Sequence, residues 1–436
     1  MSMKKSYLLK NAKILTKDAE CISGKNVYIS DGKILKIMDS TSDDGNIRAD
    51  EEIDCGKYYI SPGIPNLHTH TAMNIFKGIA EDVTADDWFN EMIWPYESKM
   101  TDQDIYVGTR LGIAEMINNG VTVFADHYFG EEQVLRAVKE TGIRGDLAPT
   151  LFGGTPDFKE RLEEVTRFIK EHREDSNRVA FHMGPHANYT CPAPTLGEIV
   201  DRAKALELPV HLHVSEEDVQ VEKAREETGM TPFGILNEAG GFDCKVLIGH
   251  GLWVEEEDLK FLKEDTWFAF CPKTYLKLAS GKGGFFDYYR QLNYGFGTDG
   301  AASSNTLNPV EQARLFALLG KFFDRDSSTH TMQEIWRHLM EGHKAFPFGT
   351  GEVKEGAPAD LVIWDLNGLD TFPIYHPVIS ILYSSNSQNV KYTMVDGVFL
   401  KYDGRLIMDE EALKNEAADL QKALIARGKG KAKVTY

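Results

Sequence analysis

The stretch that decides the fold is Pro62-Gly63-Ile64-Pro65-Asn66-Leu67-His68-Thr69-His70. Its residues 64–67 predict a short buried strand, and the two histidines follow where that strand ends. Residues two apart on a strand point to the same side, so His68 and His70 can direct both imidazoles at one metal ion. A histidine at a strand end more often satisfies a single hydrogen bond. The metal interpretation therefore depends on what the other strands carry.

Seven more strands are predicted downstream, each separated from the next by a polar or helix-patterned stretch. They are residues 121–125, 143–150, 178–181, 210–214, 245–248, 267–270 and 294–297. With residues 64–67 they make eight, and strands that alternate with helices favour a parallel α/β fold. Eight such strands predict a closed (β/α)8 TIM barrel, whose active site lies at the carboxyl ends of the strands.

The clearest helix is predicted over residues 102–119. Thr101 and Asp104 form a capping-box pattern at its start, and Gly120 stands where it ends. This helix separates the first two predicted strands, as a barrel requires.

Both ends of the chain are rich in strand patterns. Residues 7–14, 26–29 and 33–37 lie at one end, and residues 360–364, 390–395 and 398–400 lie at the other, with Asp31-Gly32 and Asp396-Gly397 as hairpin turns. We therefore predict a composite β-sandwich from residues 1–60 and 351–408, a barrel from residues 61–350, and a C-terminal helix and tail from residues 409–436.

Composition limits the classes of partner. The 436 residues include 48 basic and 67 acidic side chains, a formal net charge of −19, which argues against binding to nucleic acid or to an anionic membrane surface. The chain has no run of about 18 apolar residues, and no apolar signal core follows its basic N-terminus. Five cysteines are scattered without C-x-x-C spacing, as in reduced cytosolic proteins. We expect a cytoplasmic protein whose partner is a small molecule.

Residues that can bind a metal stand at four separate strand ends. His213 closes the fifth strand, His250 the sixth and Asp299 the eighth. Since the carboxyl ends of barrel strands meet at one mouth, we expect His68, His70, His213 and Asp299 to bind one divalent ion. Three nitrogens and one carboxylate oxygen suit Zn²⁺ or Fe²⁺, whereas Mg²⁺ and Ca²⁺ favour more oxygens.

A single ion is expected rather than a pair. The fourth strand ends in residues 181–186, which contain no lysine that could carry a carbamate between two metals. We take zinc as the cofactor, with iron as the alternative.

Longer motifs surround these ligands. They are residues 62–70, the His213-x-x-Glu216 pair, Gly297-Thr298-Asp299-Gly300-Ala301-Ala302-Ser303 and Gly356-Ala357-Pro358-Ala359-Asp360-Leu361-Val362. With them the chain resembles the amidohydrolase superfamily over nearly its whole length, in the branch of adenosine, S-adenosylhomocysteine/methylthioadenosine and triazine aminohydrolases. The resemblance implies a (β/α)8 barrel with a composite β-sandwich. Relatives are often oligomeric, so it also leaves a homo-oligomer open.

The catalytic roles follow from the needs of hydrolytic deamination. A bound metal lowers the pKa of its water to around 7, so that hydroxide can attack a ring carbon bearing an amine. One proton must reach the adjacent ring nitrogen and another the leaving ammonia. Glu216, three residues beyond His213, is expected to shuttle them, the alternative being a solvated carboxylate at a helix start. The resemblance implies that Asp299 also accepts a proton from the water and that His250 hydrogen-bonds the hydroxide.

The resemblance also implies substrate contacts. Glu97 matches a family glutamate that contacts ribose hydroxyls, and His186 matches a histidine that contacts the substrate. Arg161 is similar to one of two arginines that S-adenosylhomocysteine enzymes use for the amino-acid tail, and Pro149 stands where the other falls. The alternatives are a surface helix position for Arg161 and a loop cap for Glu97. Glu216 is expected to contact the substrate ring as well.

Two departures from the family pattern bear on the substrate. His127 is an additional histidine, and Lys273-Thr274-Tyr275 stands where the family has Ser-Asn before Leu-Lys. With Pro149, these departures argue against a homocysteine-containing substrate and leave another base or nucleoside open. The loop after the first strand carries large apolar side chains that could cover an aromatic ring, pack over the barrel mouth or contact a second copy, namely Trp88, Phe89, Met92, Ile93 and Trp94.

The leading hypothesis is a metal-dependent deaminase that releases ammonia from a purine nucleoside or a related heteroaromatic amine. One alternative is a hydrolase of cyclic amides or halo-triazines that uses the same metal site. A second is a metal-bearing protein that only binds a ligand. The complete set His68, His70, His213, Glu216, His250 and Asp299 favours an enzyme, because binding alone does not require all six.

Overall fold

The structure, a computed structural model, describes residues 5–42 and 47–432. Within them a ring of eight parallel strands, β1 to β8, forms the centre of the molecule. In chain order these are Ile64–Thr69, Val121–Tyr128, Arg144–Leu151, Val179–Phe181, Val210–Val214, Val246–His250, Thr266–Phe270 and Asn293–Phe296. Each predicted strand is present within a few residues of its expected bounds, and the predicted fold class is confirmed.

The ring closes through hydrogen bonds at two seams. Strands β1 to β4 pair in order, as do β5 to β8. Between β4 and β5, Met183 accepts from the His211 amide at 3.0 Å and donates to the Pro209 carbonyl at 2.9 Å. Between β8 and β1, the amides of Thr298 and Asp299 donate to the His68 carbonyl at 2.9 and 3.0 Å. All eight carboxyl ends therefore face one mouth.

Helices surround the strands and cover their apolar outer sides. Those of seven or more residues are Asp102–Asn118, Glu131–Thr141, Phe158–His172, Ala193–Leu206, Asp218–Thr228, Pro232–Glu238, Pro309–Asp324, Met332–Glu341, Pro377–Ser384 and Glu410–Arg427. In the described ranges no helix combines the length and the apolarity needed to cross a membrane.

The predicted capping box is present. The Thr101 side chain accepts from the Asp104 amide, and the Asp104 carboxylate accepts from the Thr101 amide at 2.7 Å. The helix ends at Asn118, and Gly120 follows with φ of +84°, a conformation that favours glycine.

Both chain ends contribute to a single sheet with nine strands in the described residues. Its strands are Tyr7–Leu15, Cys21–Ser30, Lys33–Asp39, Glu51–Asp54, Tyr59–Pro62, Leu361–Trp364, Val390–Val395, Val398–Tyr402 and Arg405–Leu406. The two ends join where Ile60 pairs antiparallel with Ile363. The sheet folds over itself, since the rings of Tyr7 and Phe399 lie 4.9 Å apart. The exact domain boundaries stay predictions, and residues 1–4, 43–46 and 433–436 within them lie outside the described residues.

The barrel interior is apolar at its base. Side chains from several strands meet there with Phe346, which follows the last barrel helix; they are Leu67, Val123, Ala125, Leu247 and Ala269. This layer fills the ring below the histidines, so polar chemistry is confined to the carboxyl end.

A buried ion pair links the barrel to the sheet. Arg144 on β3 donates to both oxygens of Asp360 at 2.7 and 2.9 Å, and neither side chain is more than 3% exposed. The Asp396 amide also donates to Asp360 at 2.9 Å. Both charges are removed from water, so the burial of each one is tolerated only while the opposite charge remains beside it.

We expect Asp360→Asn to lower the free energy of unfolding by about 3 kcal/mol or more, because the Arg144 charge then stays buried without its bidentate partner. Asp39→Asn is the matched control, since Asp39 pairs with Lys25 but its side chain is 66% exposed, and its loss should cost less than about 1 kcal/mol. Denaturant unfolding curves measure both. Equal effects would contradict this account of the interface.

Candidate active site

Three strand ends bring the four predicted metal ligands together. The Nε2 atom of His70 lies 3.2 Å from His213 Nε2 and 3.2 Å from Asp299 Oδ1. His68 Nε2 lies 3.9 Å from the same Asp299 oxygen. The ligand atoms of His68, His70 and His213 all fall within 4.8 Å of one another, and those of His68, His250 and Asp299 do so as well.

Backbone carbonyls orient two of these imidazoles. His70 Nδ1 donates to the His127 carbonyl at 2.6 Å, and His213 Nδ1 donates to the His186 carbonyl at 2.7 Å. A histidine that carries its proton on Nδ1 keeps a lone pair on Nε2, which is the form that binds a metal. Both Nε2 atoms point into the cluster.

His68 provides the test of whether a metal fits. Its Nδ1 lies 2.9 Å from His211 Nε2, whereas its Nε2 is buried in the cluster and has no hydrogen-bond partner within the described ranges. An unpartnered buried nitrogen is costly, and a cation among these ligands would remove that cost. Three imidazoles and one carboxylate also form a donor set that suits Zn²⁺ or Fe²⁺.

Hydroxyl groups fix the Asp299 carboxylate. Its Oδ2 accepts from Ser303 at 2.6 Å and from Thr274 at 3.1 Å, which leaves Oδ1 directed at the histidines. Burial opposes the charge, but the hydrogen bonds from His70 and Ser303 and the neighbouring imidazoles together outweigh it and hold the pKa of Asp299 well below its usual range. Asp299 is therefore ionised.

Electrostatics favour neutral rings at two ligand positions. Burial, followed by the neighbouring imidazoles, lowers the pKa of His68 and of His213 well below the usual histidine range. Burial acts in the same direction on His70, but Asp299 outweighs it and raises the pKa of His70 to about 9. His68 and His213 are thus ready as neutral ligands, and a cation would take the place of the His70 proton.

Glu216 and His250 stand beside the ligands. Glu216 Oε1 lies 3.4 Å from His250 Nε2, and the Glu216 side chain is 20% exposed whereas His250 is buried. On its other side, His250 Nδ1 lies 3.3 Å from the Tyr275 hydroxyl. The structure therefore brings the predicted proton shuttle next to the cluster that holds the predicted metal ligands.

Three left-handed backbone conformations lie at the same strand ends. Ser215, His250 and Asp299 have φ values of +47°, +71° and +57°, in the left-handed region that residues other than glycine rarely adopt. All three lie at or just after strand ends, where they turn the chain so that its side chains face the mouth. Strain of this kind is found mainly where function requires it.

Glu97 and His186 lie around the same centre. The buried Glu97 carboxylate accepts from the Tyr128 hydroxyl at 2.7 Å, and burial raises the pKa of Glu97. The Tyr128 ring lies 6.3 Å from the His70 ring. The His186 ring lies 4.9 Å from the His213 ring, and its Nδ1 lies 2.9 Å from the Thr190 hydroxyl.

Arg161 has other partners. It lies on the helix Phe158–His172, where its guanidinium pairs with Glu131 and Glu164. Neither carboxylate belongs to the histidine cluster, so its role as a substrate contact stays a prediction.

Sequence reasoning assigned no role to several residues that support the ligands. His211 contacts His68, Thr274 and Ser303 bind Asp299, and Tyr275 contacts His250. The carbonyl of the additional histidine, His127, orients His70. His211 could have been found from its position two residues before His213, since alternate residues share one side of a strand.

A cavity of about 960 Å³ opens beside the segment that follows Glu216. Residues that follow the site residues in sequence line it, including Tyr189, Glu217, Gln220 and Trp253, together with Phe89 from the loop after β1. The Glu216 amide donates to the Gln220 side chain at 3.1 Å, which connects the cavity wall to the proton shuttle. None of the predicted metal ligands lines this cavity, which adjoins the cluster only through the segment that carries Glu216.

Known proteins resemble the chain over nearly its full length. The sequence model of the amidohydrolase family matches residues 59–400. The 5-methylthioadenosine/S-adenosylhomocysteine deaminase of Dictyoglomus thermophilum is 36% identical over 390 residues, 88% of this chain and 91% of that protein. The deaminase of the same name from Pyrococcus furiosus is 35% identical over 422 residues, 93% and 98% of the two chains.

Solved structures also resemble the chain over nearly its full length. An adenosine deaminase from Xanthomonas campestris with bound zinc superimposes with a TM-score of 0.90 at 25% identity, covering 96% of this chain and 98% of that one. A zinc complex of atrazine chlorohydrolase from Arthrobacter aurescens superimposes with a TM-score of 0.85 at 20% identity, covering 96% and 100%. The second likeness concerns the fold alone.

Replacing a ligand should remove the metal. Loss of a residue that merely hydrogen-bonds a metal ligand weakens metal binding roughly 10–100-fold. We expect His70→Ala and His213→Ala, which remove a ligand itself, to weaken zinc binding by more than this. Metal analysis of the dialysed protein measures this. His172→Ala is the control, because His172 bonds Asp175 on an outer helix. Full zinc occupancy in both ligand variants would contradict the site.

Proposed function

Because this chain belongs to the amidohydrolase family, we propose that it is a metal-dependent hydrolytic deaminase that releases ammonia from a purine nucleoside or a related heteroaromatic amine. The observation that carries the proposal is the position of Glu216, 3.4 Å from His250 at the edge of a cluster of three imidazoles and one carboxylate. The deaminase names of the relatives support the same reaction. The chain is thus a hydrolase acting on carbon–nitrogen bonds.

We assign the cofactor as one divalent ion, zinc first and iron second, bound by His68, His70, His213 and Asp299. The zinc in the similar adenosine deaminase supports this assignment. Such an ion supplies Lewis acidity and lowers the pKa of water to about 7. The remaining chemistry is that of the side chains.

Glu216 is the residue we assign to proton transfer. Deamination needs a proton on the ring nitrogen next to the reacting carbon and another on the leaving amine. The Glu216 side chain is 20% exposed, so its carboxylate can face a substrate ring. It can accept a proton from the attacking water at one oxygen and return it to the ring.

His250 and Asp299 are assigned to holding the attacking water. The Tyr275 hydroxyl accepts from the Cys271 amide at 3.0 Å, so its own proton is available for His250 Nδ1. That bond places the His250 proton on Nε2, where it can be donated to the attacking oxygen. Asp299 Oδ1 is ionised and faces the histidines, so it can accept a proton from the water.

Glu97 and His186 are assigned to the sugar. Tyr128 occupies Glu97 Oε1, which leaves Oε2 for a substrate hydroxyl. The His186 ring lies beside the ring of His213. A ribose offers hydroxyl groups to which both side chains can hydrogen-bond, whereas a bare heteroaromatic ring offers none.

A hydrolase of cyclic amides or halo-triazines would share the same ligands and shuttle. The products separate the two reactions, since only deamination releases ammonia. We also assign the enzyme to the cytoplasm, because all five cysteines are free thiols and three of them are buried.

Glu216→Gln tests the reaction. We expect turnover of adenosine, measured as ammonia release, to fall by about 10²–10⁴-fold because the general acid–base group is lost. Zinc content should not change, since Glu216 is outside the ligand set. Glu222→Gln, an exposed position on the helix Asp218–Thr228, is the control. Unchanged turnover in Glu216→Gln would overturn its assignment.

Glu97→Gln tests the sugar contact. We expect kcat/KM for adenosine to fall roughly 10–100-fold, because a hydrogen bond to a charged group is lost while Gln keeps the contact with Tyr128. Activity on 2′,3′-dideoxyadenosine, which lacks both hydroxyls, should stay the same. An equal loss for the two compounds would mean that Glu97 supports the fold of the loop and does not bind the sugar.

A further inference from the structure

The segment that carries Glu97 is a chain of short helical turns over the barrel mouth. It comprises the turns Ala85–Asp87, Trp88–Ile93 and Trp94–Glu97, of which the middle one is a π-helix. The rings of Phe89 and Trp94 stack at 6.0 Å, and both are almost half exposed. π-Helical turns are frequent at functional sites, and such short turns have little stability of their own. Their position depends on what holds them.

Two hydrogen bonds hold this segment against the barrel. The Tyr128 hydroxyl holds Glu97, as described above. The Trp88 indole donates to the Ala302 carbonyl at 3.3 Å, three residues beyond Asp299. Both hydrogen bonds lead back to the metal ligands.

A third attachment comes from the C-terminal tail. The helix Glu410–Arg427 docks on the helix Asp102–Asn118, where Gln103 donates to Glu416 at 2.7 Å and Arg427 pairs with Asp104. Residues 428–432 continue from this anchored helix across the loop. The Lys431 amide donates to the Glu91 carbonyl at 2.9 Å, and its ammonium pairs with the Glu91 carboxylate.

Tyr96 is enclosed by the tail. The Ala432 amide donates to the Tyr96 hydroxyl at 3.3 Å, and the Tyr96 side chain is only 3% exposed. Two glycines lie against opposite edges of its ring. A Cβ at Gly428 would stand 2.1 Å from Tyr96 Cδ1, and a Cβ at Gly430 would stand 2.3 Å from Tyr96 Cε2. No side chain fits at either position without moving the ring or the tail.

We propose that residues 428–432 form a strap that positions Glu97 for the substrate's sugar hydroxyls. Tyr96 directly precedes Glu97 in the turn Trp94–Glu97, so a displaced Tyr96 ring displaces the carboxylate. The strap thereby makes binding of the sugar depend on the packing of a C-terminal helix on the outside of the barrel. This inference rests on the proposed nucleoside deaminase function, in which Glu97 binds the sugar.

Gly430→Ala and Gly428→Ala test the strap. Each added methyl must shift Tyr96 or release the tail, and misplacement of a binding group by about 1 Å costs up to roughly 100-fold. We expect kcat/KM for adenosine to fall about tenfold through KM, with kcat, zinc content and activity on 2′,3′-dideoxyadenosine unchanged. Gly197→Ala is the matched control, since a Cβ there meets nothing within 4 Å. Equal losses on both nucleosides, or no loss on adenosine, would overturn the strap.

A second measurement separates failure of the strap from failure of the proposed function. Chymotrypsin cleaves after exposed aromatic residues unless proline follows, and Phe89, which is followed by Asn90, is such a site in this loop, whereas Pro95 blocks cleavage after Trp94. We expect cleavage after Phe89 to be several times faster in Gly430→Ala than in Gly197→Ala, whether or not the enzyme deaminates nucleosides. If the unaltered enzyme releases no ammonia from adenosine, the proposed function fails, and the cleavage rates alone then test whether residues 428–432 hold the loop. Equal cleavage rates would overturn the strap.

Discussion

Two hydrogen bonds close the barrel and at the same time assemble its centre. The amides of Thr298 and Asp299 both donate to the carbonyl of His68, at 2.9 and 3.0 Å. This contact joins the last strand to the first, and it brings the Asp299 carboxylate to the side chains of His68 and His70. Without closure of the barrel nothing would hold the four ligands close together, because more than 200 residues separate the first from the last in sequence.

Burying this cluster of polar side chains is unfavourable in free energy, and contacts with the surrounding residues offset part of that cost. Burying several imidazoles side by side disfavours their charged forms, and the lowered pKa values of His68 and His213 reflect this. Carbonyls of His127 and His186 then select the tautomer of His70 and His213, and hydroxyls of Thr274 and Ser303 fix Asp299. The result is a set of lone pairs and one negative charge aimed at a common point. Such an arrangement is stable only with a proton or a cation among the ligands.

The sequence predicted the parts of the site that follow from short-range periodicity. Alternation within a strand placed His68 and His70 on one side, and the eight apolar segments predicted a barrel that gathers His213, His250 and Asp299 at one mouth. The capping box before residue 102 was likewise visible in a window of four residues. Three strands of the sheet were missed. Glu51–Asp54 and Tyr59–Pro62 show no clear alternation and are held by pairing with distant strands, and Arg405–Leu406 is too short to show any.

Contacts across the barrel could not be predicted in this way. The pairing of His211 with His68 spans 143 residues, and the contact of Thr274 with Asp299 spans 25 residues and two strands. Both contacts depend on the stagger of neighbouring strands, and the periodicity of the sequence does not predict that stagger. The closure of the tail on Tyr96 is a further example, because glycine spacing in residues 428–430 has no meaning until the ring it encloses is known.

The central claim is that the four-ligand centre with Glu216 deaminates a purine nucleoside. The most direct measurement is ammonia release from adenosine by the protein stripped of metal and then reloaded with zinc, with S-adenosylhomocysteine, aminotriazines and cyclic amides compared under the same conditions. The account predicts ammonia from adenosine-type nucleosides that disappears with the metal and returns with zinc. Ring-opened or dehalogenated products without ammonia, or zinc-bound protein that leaves every nucleoside intact, would contradict it.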